Sequence, residues 1–151
     1  MTSALRRPHV LIVSDDRDLV EFLGEGLVYA GFWTSTIANA LQALEVFRLR
    51  SFDIVLVDAA MGGIGPRELV RRLRGISDRA AGGARTDVPI VVLAASPDEV
   101  DLRHVEASLV DDTIVAPVEL AELARRLSLH VESWRAAHPD RRWADDEAQA
   151  P

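Results

Sequence analysis

The chain has 151 residues, 48% of them hydrophobic, with 17 basic and 24 acidic side chains and a formal net charge of −7 at pH 7. That length suits one globular domain with a sizeable core, and the composition excludes a globally disordered chain. The acidic balance weighs against a nucleic-acid partner, no apolar run is long enough to span a bilayer, and the absence of cysteine removes disulfides, thiolate chemistry and Cys-ligated metals together.

Residues 1–7 read as an N-terminal tail without the apolar core of a secretory signal, so a cytoplasmic location is expected. Val10–Val13 (VLIV) is the first of four short β-branched runs, followed by Ile54–Val57 (IVLV), Ile90–Leu93 (IVVL) and Ile114–Val115 within TIVA. Apolar runs without alternation predict strands covered on both faces, as in a parallel sheet. Phe32–Ile37 (FWTSTI) is more polar and predicts an edge strand. Between the strands, Leu19, Leu23, Leu27 and Ala30 recur at helical spacing, as do Ala40, Leu44 and Phe47. Leu69, Val70 and Leu73 form a third stripe, Leu102, Val105 and Leu109 a weaker fourth, and Leu120, Leu123, Ala124, Leu127 and Val131 the strongest. Gly24 and Gly26 each weaken the first helix by about 1 kcal/mol relative to Ala. Gly75–Asp87 is rich in Gly, Ala and Arg and reads as a loop. Residues 8–132 thus form one β-α unit repeated five times. Residues 133–151 extend the last helix by a turn or two and then fray as a disordered tail.

Strict alternation of buried strands with helices predicts an α/β fold, a doubly wound parallel sheet. For five units of this size the commonest arrangement is flavodoxin-like, with strand order 2-1-3-4-5. In that order the first and third strands are neighbours. Asp15 and Asp16 follow one and Asp58 ends the other, so three carboxylates are expected at one crevice outside the carboxyl ends of the strands. Two carboxylates about 4 Å apart repel by about 4 kcal/mol at an effective dielectric of about 20. Such a cluster raises a pKa or recruits a cation, and hard oxygens with open positions suit Mg²⁺. The Asp15–Asp16 pair alone reads equally as an N-cap for the first helix.

These residues give the chain a resemblance to the receiver domain of bacterial two-component response regulators, running from about Pro8 to Val131. It is carried by IVSDD, by DIVLVDAAM with Met61 three residues after Asp58, by VPIVVLAAS entered at Pro89, and by TIVAPVELAEL. The resemblance implies that Asp58 accepts a phosphoryl group from a histidine kinase or phosphotransfer protein. It also implies that Asp16, Asp58 and the backbone carbonyl of Ala60 coordinate Mg²⁺, with Asp15 completing the acidic pocket partly through water. The face built from the fourth and fifth strands and their helices would carry the signal to a protein partner or a second copy. A stand-alone receiver in a phosphorelay follows, not an enzyme beyond slow autodephosphorylation.

The chain departs from the family's pattern where the switch operates. Ala94 stands where the family has Thr or Ser, Ala116 where it has Lys, and Thr113 where it has an aromatic switch residue. All 17 basic residues are Arg, so no Lys exists to substitute. The missing hydroxyl forgoes a hydrogen bond to a charged group, about 1.5–3 kcal/mol. The missing ammonium forgoes up to about 4 kcal/mol. Ser96 and Arg103 are the nearest substitutes in sequence. Two other readings follow: a pseudo-receiver that binds its partner without phosphorylation, and an Mg²⁺-dependent phosphohydrolase, which lacks a general acid or cationic clamp. The Arg-rich third helix, with Arg67, Arg71, Arg72 and Arg74, reads as a solvated face or as a surface for an acidic partner. Four scattered His residues show no metal-ligand spacing, and Trp134 and Trp143 are expected to dock against the last helix.

Overall fold

A computed structural model of the chain describes residues 6–76, 85–96 and 107–145. Its strands are β1 (His9–Val13), β2 (Trp33–Ile37), β3 (Ile54–Asp58), β4 (Ile90–Ala94) and β5 (Asp112–Val115). Its helices are α1 (Arg17–Tyr29), α2 (Ala40–Leu49), α3 (Gly65–Leu73) and α4 (Leu120–Ala137), with a 3₁₀ turn at Ala107–Leu109. The five strands form one parallel sheet in the order β2-β1-β3-β4-β5, as expected from the sequence. The predicted fourth helix, with Leu102 and Val105, falls mostly outside the described residues, as do residues 77–84 of the predicted loop.

β1, β3 and β4 are buried along their whole length, which is why their sequences do not alternate. Successive side chains serve two separate cores. Leu11, Val13, Val55 and Val57 pack under α2 and α3, with Leu44, Phe47, Leu69 and Leu73. Val10, Ile12, Ile54 and Leu56 pack under α1 and α4, with Leu23, Leu27, Leu123 and Leu127. The outer strands β2 and β5 keep polar or half-exposed positions, as edge strands do. α1 and α4 approach closely at Gly26, where a side chain would run into Leu120.

The C-terminal segment differs from the expected fray. α4 continues to Ala137, and residues 138–145 turn back along the base of the sheet, at the amino ends of the strands. Trp134 is buried in the core under α2 and α3, and Trp143 packs against the other core. Arg135 lies over the Trp143 ring at 3.9 Å. Ala144 donates its amide to Asp53 Oδ1 at 3.0 Å, and Arg141 forms a two-pronged pair with Asp87. Arg85 is buried against Asp53 and also donates to the Arg142 carbonyl. The physical reason is a buried carboxylate at the base. Asp53 brings a carboxylate into the interior, and the returning chain supplies an amide that satisfies it.

The basic surface of α3 is smaller than its composition suggests. Arg74 turns inward and donates to the carbonyls of Leu109, Thr86 and Val88 and to Asp111, tying three loops together. Arg72 pairs with Glu68 one turn away.

Candidate functional site

Parallel neighbours put their carboxyl ends at the same edge. Val13 of β1 is level with Val57 of β3, and Asp58 is level with Leu93 of β4. The loops after β1, β3 and β4 therefore surround Asp58. Asp58 is 8% exposed, and both carboxylate oxygens have donors. Oδ2 accepts from the Ser14 hydroxyl at 2.7 Å, and Oδ1 accepts from the Ala60 amide at 2.9 Å. The Ser14 oxygen accepts in turn from the Asp16 amide at 3.1 Å.

The acidic pair divides. Asp15 is exposed and faces the loop after β3, where its Oδ2 accepts from the Gly62 amide at 3.3 Å. Gly63 in that loop and Gly65 at the start of α3 have φ of +73° and +81°, a backbone shape that a side chain would strain. Beside it a cleft of about 240 Å³ opens between the start of α2 and this loop, lined by Asp15, Asn39, Leu41, Met61 and Gly62 among others. Asp16 is the N-cap of α1, and its Oδ1 accepts from the Leu19 amide at 3.2 Å.

Among the described residues no three His, Asp or Glu side chains come together in a group able to hold a metal. Asp16, the expected partner of Asp58 in holding the metal, also caps α1 through Oδ1, because α1 begins at Arg17 and the residue before it must satisfy the open amides. The side chain after β1 that touches Asp58 is that of Ser14, which the sequence reading passed over. A hydroxyl residue directly before an acidic pair at the end of a buried strand was the available signal. The candidate donor set is all oxygen, the Asp15, Asp16 and Asp58 carboxylates and the Ala60 carbonyl. Its chemistry fits a small hard cation that keeps several waters.

A family model described as the response regulator receiver domain matches residues 10–128. The chain belongs to this family. The receiver domain is 36% identical over 121 residues to the DNA-binding response regulator MtrA of Mycobacterium tuberculosis, covering 80% of this chain and 49% of that protein. It is 30% identical over 139 residues to the transcriptional regulatory protein CseB of Streptomyces avermitilis, covering 91% of this chain and 55% of that protein. The chain thus spans about half the length of the curated relatives it matches. Solved structures share the fold. One is a CheY-like receiver domain from Methanospirillum hungatei, with a TM-score of 0.74, 16% identity, and coverage of 87% of this chain and 99% of that one. Another is the receiver domain of a sensor histidine kinase from Pseudomonas aeruginosa, which holds a magnesium ion in its active-site cleft. Its TM-score is 0.72 at 20% identity, covering 84% of this chain and 99% of that one.

The receiver's departures meet at one place. Ala94 ends β4 fully buried, and the Ala116 amide donates to the Ala94 carbonyl at 2.7 Å. The two alanines are therefore joined through their backbones at the carboxyl edge of the sheet, at the positions where the family pattern has a hydroxyl and an ammonium. Thr113 is half-buried on β5, level with Val92. Ser96 is half-buried after β4, and Arg103 lies outside the described residues. No helix among the described residues is long and apolar enough to cross a membrane.

Proposed function

We propose that this receiver domain accepts a phosphoryl group on Asp58 from a histidine kinase or phosphotransfer protein in two-component signalling. The observation that carries the proposal is the setting of Asp58. It stands at the carboxyl end of a central strand, nearly buried, with donors on both oxygens and Asp15 on the adjoining loop. The two donors fix the carboxylate in one orientation, so an incoming phosphorus meets an aligned nucleophile. Mg²⁺ would be held by Asp16, Asp58 and the Ala60 carbonyl, with Asp15 partly through water, and would supply positive charge that offsets the charge of the transferring group. Asp16 also contributes by starting α1 and by presenting its amide to Ser14. The domain signals rather than turns over a substrate, with slow autodephosphorylation as its only chemistry beyond acceptance.

The output face is built from β4, β5 and α4, and a protein partner or second copy would read it. There Asp112 accepts from Arg126 and His130, which hold its carboxyl below the ordinary aspartate range against the opposing effect of burial. Val115 and Leu129 on these elements are exposed. The charge argument against nucleic acid applies to these 151 residues alone, since the longer MtrA relatives are named as DNA-binding.

The test is incubation of the intact chain with Mg²⁺ and acetyl phosphate, read by intact-mass spectrometry. Gain of one phosphoryl group, absent in Asp58→Asn, supports the proposal; an unlabelled wild type overturns it.

Ala94 and Ala116 favour a second reading, a pseudo-receiver whose partner recognises the fold whatever the state of Asp58. It requires that Asp58→Asn leave partner binding and function in cells unchanged. Loss of either in that variant removes this reading.

A further inference from the structure

We propose that Ser14 is the positioning residue of the acceptor, its hydroxyl supplying from just after β1 the hydrogen bond that Ala94 cannot supply from β4. This rests on the reading of Asp58 as phosphoacceptor. Ser14 is 1% exposed, and its Oγ lies 2.7 Å from Asp58 Oδ2, a short contact of the kind a hydroxyl makes to a carboxylate. The Asp16 amide occupies a lone pair of the same oxygen, so the one hydroxyl proton is directed at Asp58. The Asp16 amide is fixed by the start of α1, and the Ser14 amide is fixed by its bond to the Ile37 carbonyl. The hydroxyl is therefore held by backbone on two sides and aimed by geometry rather than by chance rotation.

Transfer moves charge away from the group that Ser14 holds. One oxygen of Asp58 forms the bond to phosphorus, while the bond from phosphorus to the donor's leaving group breaks and the leaving group departs with that electron pair. The carboxylate becomes a neutral acyl ester, and the negative charge now lies on the phosphoryl oxygens. A hydroxyl turns about a single bond, so Ser14 re-aims to a phosphoryl oxygen without moving the strand. Neither methyl at Ala94 or Ala116 offers a donor there. Ser14 thus acts twice, orienting the carboxylate before transfer and holding the phosphoryl group after it.

The experiment compares Ser14→Ala, Ser14→Thr and Ser14→Val with wild type. Thr and Val have nearly the same shape and differ in the hydroxyl, so the pair separates hydrogen bonding from packing even if Ser14→Ala fails to fold. Two quantities are read: the rate of labelling by acetyl phosphate with Mg²⁺, and the lifetime of the labelled form after excess chelator is added. Loss of a hydrogen bond to a charged group predicts about a tenfold or greater fall in labelling rate for Ala and Val. The chelated lifetime shortens in the same variants, and Thr restores both. A merely structural serine would leave the lifetime unmoved. Labelled wild type with Thr and Val alike in rate and lifetime overturns the role of Ser14 and leaves Asp58 as acceptor. An unlabelled wild type overturns both.

Discussion

Replacing Asp53 with Ala tests whether the returning C-terminal segment is part of the folded domain. Asp53 is 2% exposed, and its partner Arg85 is 4% exposed. Its carboxylate accepts from the His9 amide at 2.8 Å, the Ala144 amide at 3.0 Å and the Arg85 guanidinium at 3.4 Å. Burial nevertheless holds the Asp53 carboxyl above the ordinary aspartate range, outweighing the lowering effect of those three donors. The intact pair is therefore a poor net stabiliser, and the cost lies in breaking it. Asp53→Ala removes one partner of a buried charged pair, a loss of about 3–5 kcal/mol. For a chain of this size each kcal/mol moves Tm by about 2–4 °C, so a fall of roughly 6–20 °C is expected. Urea and thermal unfolding followed by tryptophan fluorescence suits the question, because Trp134 and Trp143 sit on this cluster. Asp53→Ala together with Arg85→Met should lose less than Asp53→Ala alone, since neither charge of the pair remains. A single variant within about 1 kcal/mol of wild type, or a double variant as weak as the sum of its parts, would refute the reasoning.

Three further outcomes follow from the geometry. Burial lowers the His9 pKa below its ordinary 6.5, against the raising effect of Asp145. Between the two values the unfolded chain binds more protons, so stability falls as pH drops below about 6.5; His9→Gln should flatten that part of the slope in urea melts, and an unchanged slope would refute it. Gly24→Ala should stabilise α1 by about 0.5–1 kcal/mol, because a methyl there meets only Thr36 Cγ2 at 3.4 Å, whereas Gly26→Ala should gain nothing because its methyl runs into Leu120. Asn39→Ala should cost about 1 kcal/mol by removing the side-chain cap that accepts from the Gln42 amide, and a variant as stable as wild type would show that α2 needs no cap.

Much of the architecture is legible residue by residue. The run IVLV at Ile54–Val57 needs cover on both faces, and the structure provides it with α2 and α3 on one side and α1 and α4 on the other. Asp58 is legible as well, since the residue that ends a central strand must stand at the sheet's edge. Ser14 was passed over, because strand and helix periodicities break down at the junction after β1. Whether the first residue after Val13 faces Asp58 depends on where the first helical turn closes. The charges of Arg85 and Asp53 gave no sign of being partners, and Ala144 none of being buried.

By itself the sequence determined the strands, their burial and the place of Asp58 at the end of a central strand, because hydrophobic periodicity is local and repeats within each segment. Tertiary structure alone decided that Ser14 holds Asp58, that the backbones of Ala94 and Ala116 join, and that the chain returns to satisfy Asp53. Those outcomes depend on distances between residues far apart along the chain. Such distances are set by how the sheet and helices pack against one another, and no local pattern records them.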